Sequence, residues 1–206
     1  MSEFLKAASK SQITHEEEKV DTTSLSNFEL KQDIVIFNNV LKKEQCDVLI
    51  KYTSNDLDRW KKATTFGEQP EHAESSPRQA DVWSINQSDD IDERVFKVFS
   101  ECLTKVREFY PDLHIESDEG YGLLKYSPGG YYSTHTDHGP SNIRTISALI
   151  YLNDDYEGGE LYFPRQDIKI KPKTGQVVFF PSNYLYPHAS LPITSGTKYS
   201  IVTWFK

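Results

Sequence analysis

In the stretch His135-Thr136-Asp137, two side chains can aim at a single point, because residues two apart in a strand project from the same face. A neutral imidazole and an ionised carboxylate are ligands that suit Fe(II), and a third ligand has to come from elsewhere in the chain. His188, at the end of a predicted strand over 184–188, can supply it. Two imidazoles and a carboxylate on one side of an ion leave its opposite face open. On its own a His-x-Asp pair says little in a chain with 6 histidines and 31 acidic residues, so the pattern around it has to decide.

That pattern includes a lysine in an apolar strand. In the segment 197–205, Lys198, Ser200, Val202 and Trp204 share one face, and Tyr199, Ile201, Thr203 and Phe205 the other. Both faces are largely apolar and expected to be buried. A lysine there needs an anionic partner. No acid lies in the strand, and a dicarboxylate ligand would meet the need. The plain alternative is that Lys198 snorkels to water from the strand end. Along 143–152, Thr145, Ser147, Leu149 and Tyr151 form a hydroxyl-bearing face that reads as a cavity wall, while Ile146, Ala148, Ile150 and Leu152 suit packing on helices. Tyr126 and Tyr151 are candidates for that wall, and core packing is the commoner fate of a tyrosine.

The elements that must hold these groups are short strands. From Gly120 onward, strands are predicted at 121–126, 131–136, 143–152, 160–163, 167–171, 175–180, 184–188 and 197–205, separated by glycine- and proline-containing turns such as Ser127-Pro128-Gly129-Gly130. Their number and spacing, with 12 Tyr and 11 Phe, imply an α+β, mainly β fold with a jelly-roll core. Two helices precede it and are expected to buttress one sheet face. One covers about 42–56. The other opens on Asp90 and Glu93, which read as a capping box, and ends before Pro111. Strands are also expected at 33–40 and 80–85. Residues 57–80 read as an irregular loop, either a lid or a solvated connector. The polar segment 1–26 is expected to be mobile or loosely docked, and 27–206 to form one domain with its core in about 120–206.

Net charge is −8 at pH 7, which disfavours nucleic acid and anionic membrane surfaces as partners. Two cysteines, Cys46 and Cys102, do not make a disulfide framework. The beginning of the chain lacks the apolar core of a secretory signal, and no apolar run is long enough to span a membrane. A cytoplasmic location is the expectation.

The order of the pieces carries a resemblance. It runs Tyr126-Ser-Pro-Gly-Gly-Tyr131-Tyr-Ser-Thr-His135-Thr-Asp137, Arg144-Thr-Ile-Ser-Ala-Leu-Ile-Tyr151-Leu-Asn153, Gly158-Gly159-Glu160-Leu-Tyr-Phe-Pro164, Gly175-Gln-Val-Val-Phe-Phe-Pro181, His188 and Gly196-Thr-Lys198-Tyr-Ser. Over about 120–206 the chain resembles the 2-oxoglutarate oxygenases of the prolyl 4-hydroxylase group, which includes the oxygen-sensing prolyl hydroxylases. The resemblance implies a double-stranded β-helix core, Fe(II) as the metal with His135, Asp137 and His188 as ligands, 2-oxoglutarate and O2 as co-substrates, and ascorbate as reductant. It implies Lys198 as the partner of the far carboxylate of 2-oxoglutarate, Tyr126 and Tyr151 beside the co-substrate, and Arg144 and Trp204 near the substrate cleft. One departure is Leu161. Many collagen-type members carry threonine there, whereas the oxygen-sensing branch has leucine but uses arginine at the position of Lys198.

The activity so implied is hydroxylation of an unactivated C–H bond with release of succinate and CO2, with a peptidyl proline as the expected target. Extended proline-containing segments dock in aromatic-lined grooves, which Tyr132, Trp83 and Trp204 could line. The alternatives are an oxygenase of the same fold acting on a free amino acid or other small molecule, a non-catalytic jelly-roll binding module, and a nucleic-acid demethylase. The acidic charge counts against the last.

Overall fold

The computed structural model describes residues 25–64 and 77–206. Most of the segment 1–26 and the middle of the loop 57–80 lie outside them. The strands in chain order are β1 (Phe28–Lys31), β2 (Ile34–Phe37), β3 (Lys61–Lys62), β4 (Arg78–Gln79), β5 (Asp81–Ile85), β6 (Tyr121–Tyr126), β7 (Tyr131–His135), β8 (Ile146–Tyr151), β9 (Glu157–Gly158), β10 (Leu161–Phe163), β11 (Ile168–Ile170), β12 (Val177–Pro181), β13 (His188–Ser190), β14 (Ile193–Ser195) and β15 (Lys198–Phe205), with helices α1 (Lys43–Tyr52) and α2 (Asp92–Phe109).

Eight strands form the major sheet, in the order β1-β2-β12-β8-β15-β6-β5-β3. Five form the minor sheet, in the order β11-β10-β13-β7-β4. This is a jelly-roll core. The alternation read from 197–205 decides what each face of the major sheet does. Ile201 and Phe205 join Ala148, Ile150, Leu123, Val177 and Phe179 in a core that also takes in Val95, Val98, Phe99, Cys102 and Val106 of α2 and Cys46 and Leu49 of α1. The helices therefore cover one face. The other face carries Lys198, Ser200, Val202, Ser147, Tyr151 and Tyr126, and looks inward toward the minor sheet.

Several sequence expectations shift at their edges. The first helix stops at Tyr52, and Thr53–Asn55 tightens into a 3-10 turn. The second has Ile91 as its N-cap residue and no side-chain cap, so Asp90 and Glu93 form no capping box. The preceding turn orders the helix entry instead. Asp89 accepts from Asn86 N at 2.7 Å and pairs with Arg59, while Asp92 and Glu93 still place acid against the helix N-terminus. The ends of the loop 57–80 are ordered, as a 3-10 turn over Leu57–Arg59 and as β3 and β4, two-residue strands too short to leave a period in sequence. His188 begins a strand instead of ending one. Residues 184–187 turn first, with Asn183 Oδ1 accepting from Leu185 N at 2.9 Å and Asn183 O from Tyr186 N at 3.0 Å.

Gly175 joins the first helix to the sheet. Its φ is +75°, its N–H donates to Tyr151 O, and its carbonyl accepts from Val40 N and Leu41 N. A Cβ there would collide with the backbone carbonyl of Leu41. Gly175→Ala is expected to cost roughly 3 kcal/mol or more, measured by urea denaturation, since a left-handed backbone and a backbone clash add.

Candidate metal centre and co-substrate pocket

His135 is the last residue of β7 and faces His188, the first of β13, directly across the ladder. Asp137 lies just past the strand, in a bend, so strand alternation alone does not orient it as the sequence suggested. Two hydrogen bonds do. Ser147 Oγ donates to Asp137 Oδ2 at 2.6 Å, and His138 N donates to Ser182 O at 2.9 Å. Ser147 Oγ also lies 2.8 Å from Ser182 Oγ, which ties the carboxylate to β8 and β12 together.

The three side chains converge. His135 Nε2 is 3.4 Å from Asp137 Oδ1, His188 Nε2 is 3.4 Å from Asp137 Oδ2, and the ligand atoms all lie within 4.8 Å of one another. The other ring nitrogens face backbone carbonyls: His135 Nδ1 lies 2.8 Å from Ser133 O and His188 Nδ1 lies 3.1 Å from Tyr186 O. A carbonyl only accepts, so Nδ1 carries the hydrogen and Nε2 turns its lone pair to the common point. The Tyr186 end of this contact is anchored in turn. Its hydroxyl donates to Asp33 Oδ2 at 2.7 Å, and Tyr110 donates to the other oxygen at 2.8 Å.

The electrostatics match a cation site. Burial pushes His188 down to about 4, so at neutral pH it is an uncharged imidazole. Burial alone would raise Asp137, but His188 and His135 beside it and the Ser147 hydrogen bond outweigh that, and its carboxyl is held below the usual carboxylate range. An ionised carboxylate between two imidazoles, the His188 ring held uncharged by burial, fits a divalent first-row metal with open positions. Ser147→Ala removes the hydrogen bond that holds the ligand carboxylate. It should weaken Mn(II) or Fe(II) binding about 10- to 100-fold by calorimetry, with little change in the fold.

Lys198 sits deeper in the same interior. It is 2 % exposed. Among the described residues its ammonium group donates to Gly159 O at 2.7 Å and Ser190 Oγ at 3.1 Å and forms no ion pair, so it does not snorkel to water. The rings of Tyr126 and Tyr151 stand 5.4 and 5.3 Å from it. Burial pushes this lysine down to about 7, with Glu160 opposing. The Tyr151 hydroxyl is fully buried and has no hydrogen-bond partner among the described residues. A buried ammonium group satisfied only by neutral oxygens, beside an orphaned hydroxyl, fits an anionic ligand that accepts from both.

The remaining candidates divide. Tyr132 lies flat on His135, with ring centroids 3.5 Å apart, and Arg78 covers the Tyr132 ring at 4.8 Å. Arg144 stacks on Trp204 at 3.7 Å, bonds Glu119 through Nε and Nη2 at 2.9 and 2.6 Å, and reaches Asp137 O at 3.5 Å. Tyr132 and Arg144 therefore flank His135 and Asp137. Trp83 does not line a cleft. Strand alternation in β5 turns it to the helix-covered face, where it is 1 % exposed, donates to Asp56 O at 3.2 Å and carries the Arg59 guanidinium 3.5 Å from its ring centroid. Ser182 and Ser190 escape sequence reading, because a serine hydroxyl has no spacing signature. Ser147 was legible through the hydroxyl-bearing face of its strand.

Residues 121–206 match the family model described as the 2OG-Fe(II) oxygenase superfamily. A protein of Acanthamoeba polyphaga mimivirus with prolyl 4-hydroxylase in its name is 35 % identical over 113 residues, 44 % of this chain and 46 % of that one. The chain thus spans less than half the length of the curated relatives it matches at higher identity. A viral collagen prolyl hydroxylase from Paramecium bursaria Chlorella virus-1, solved with 2OG, superposes with a TM-score of 0.61 at 25 % identity, over 84 % of this chain and 96 % of that one. A Trichoplax adhaerens prolyl hydroxylase, solved with a hypoxia inducible factor oxygen degradation domain peptide fragment, gives a TM-score of 0.69 at 19 % identity, over 90 % and 87 %, and so shares the fold. No helix among the described residues is long and apolar enough to cross a membrane.

Proposed function

We propose that the chain is a 2OG-Fe(II) oxygenase of prolyl 4-hydroxylase-like type, as the match of residues 121–206 to the superfamily model and the likeness to prolyl hydroxylases support, and that it hydroxylates a proline within a peptide or protein, using Fe(II), 2-oxoglutarate and O2. The observation that carries this reading is the convergence of His135, Asp137 and His188 within 4.8 Å, in the same interior as a lysine that has no acidic partner among the described residues. Bound iron and 2-oxoglutarate supply the oxidising chemistry, in which one oxygen atom enters the C–H bond and the other leaves in succinate.

The chain's residues supply the rest. His135 and His188 offer Nε2, and Asp137 one carboxylate oxygen, to the metal. Lys198 offers its ammonium group to the far carboxylate as a compact cation. Tyr126 and Tyr151 wall the co-substrate, and the Tyr151 hydroxyl, unpaired among the described residues, can donate to it. The apolar interior, with Phe163 and Phe180 packed against His188, keeps water away from the reacting atoms. Tyr132, Arg144 and Trp204 border the open side, where an extended peptide would lie. The mixed Leu161 and Lys198 pattern leaves both collagen-like and regulatory protein targets in the assay.

The test is incubation with Fe(II), 2-oxoglutarate and ascorbate as reductant. Proline-rich peptides and free proline are compared by mass spectrometry for a gain of one oxygen atom. Oxidation of peptide with stoichiometric succinate supports the reading. Oxidation of free proline alone moves the substrate to the small-molecule class. The absence of any 2-oxoglutarate turnover, even with lysate proteins offered as substrate, overturns the enzyme reading.

A further inference from the structure

We propose that a cavity behind the metal centre is a second ligand site, which takes a small organic cation with an apolar body and is linked energetically to metal binding. The linkage rests on the metal reading above; the cation site does not. The cavity has a volume of about 490 Å³, within the range of small-molecule pockets. It lies on the helix-covered face of the major sheet, between the end of α2 and strands β2, β8 and β12, and so is separate from the co-substrate pocket. Val35, Val106, Ile146 and Phe179 give it buried apolar walls. Asp33 and Asp112 bring two carboxylates to it, and among the described residues no lysine, arginine or histidine lines it. That combination selects an apolar body that carries positive charge.

Asp33 has the capacity to receive such a group. Its Oδ1 accepts from the Tyr110 hydroxyl at 2.8 Å and its Oδ2 from the Tyr186 hydroxyl at 2.7 Å. A carboxylate offers about four acceptor positions, so these two bonds do not fill it. Tyr110 lines the cavity and Tyr186 does not, which puts Oδ1 on the cavity side. An ammonium group there competes with the Tyr110 hydroxyl and leaves the Tyr186 bond in place. The linkage comes from strand alternation. Ile146 of β8 faces the cavity, and Ser147 beside it holds Asp137. Pro181 of β12 lines the cavity, and Ser182 beside it meets the Ser147 hydroxyl. A ligand that fixes these walls also fixes the residues behind them, so metal binding has less ordering left to do.

Calorimetry on the full chain at neutral pH tests this with 2-phenylethylammonium as the probe, 2-phenylethanol as its neutral counterpart and 3-phenylpropionate as its anionic one. The cation should bind about tenfold or more tighter than the alcohol, the scale of one hydrogen bond to a charged group, and the anion not at all. Asp33→Asn should bring the cation down to the affinity of the alcohol. Tyr110→Phe removes the hydroxyl that competes for Oδ1 and should bind the cation about threefold tighter, whereas a purely structural role of the Tyr110–Asp33 bond would make it weaker. Saturating probe should tighten Mn(II) binding about fivefold, and saturating Mn(II) should tighten the probe by the same factor. Equal binding of cation and alcohol, or full affinity in Asp33→Asn, would overturn the site. Mn(II) affinity that ignores the probe would overturn the linkage. A wild type that binds the probe but no Mn(II) would sink the metal reading and the linkage together and leave the cation site standing.

Discussion

Asp137→Ala should lower substrate-dependent succinate release by on the order of a thousandfold or more, while circular dichroism stays native. The carboxylate is 8 % exposed and lies 3.4 Å from both Nε2 atoms, so its removal takes the single negative charge from the trio. Its contacts among the described residues cannot replace it: the hydroxyls of Ser147 and Ser182 are neutral, and the Arg144 side chain brings positive charge. Asp137→Asn separates charge from shape. It keeps an oxygen that accepts from Ser147 but loses the anion, and it should bind metal far more weakly than wild type. His135→Ala should act in the same direction as Asp137→Ala. Near-normal turnover in either alanine variant would remove the metal centre from the mechanism.

The convergence of His135, Asp137 and His188 was legible because its signal is local chemistry plus order: an imidazole and a carboxylate two apart, and a later imidazole. The faces of β8 and β15 were legible for a different reason. Strand alternation is geometric, so one polar residue among apolar ones marks the interior side. What failed depends on partners that no local window contains. Trp83 could have faced either way until β5 paired with β6, and that pairing turned it to α1 and the Arg59 side chain. The capping-box pattern at Asp90 and Glu93 was outcompeted by the Asp89 turn and its long-range pair with Arg59. The strand of His188 started later than predicted because an Asn183 side chain closes a turn that hydrophobicity cannot reveal. The path that holds His188, from Asp33 through Tyr186, joins residues distant in sequence and has no motif.

Lys198→Met should have two opposite effects. With 2-oxoglutarate, a partnered charge is lost in a buried site, and the concentration needed for half-saturation should rise by about a hundredfold or more. Without ligand, the same change should stabilise the protein near neutral pH, because it removes a buried ammonium group whose burial outweighs the opposing charge of Glu160. The sign follows from the shift. Burial lowers Lys198 from 10.5 to about 7, so between these values the unfolded chain binds more protons than the folded one, and wild-type stability rises with pH. Above pH 9 the buried thiols work the other way, since burial pushes Cys46 from 9.0 up to about 12 and the unfolded chain ionises first. The clean window is therefore pH 7 to 9, where the metal- and ligand-free wild type should gain about 2 kcal/mol in urea denaturation while Lys198→Met stays nearly flat. Saturating 2-oxoglutarate with Mn(II) should flatten the wild-type curve as well, because a bound carboxylate keeps the lysine charged at both ends of the window. Parallel pH curves for the free wild type and Lys198→Met would mean that this ammonium group is already paired in solution, and the pocket would then have no vacancy for a dicarboxylate.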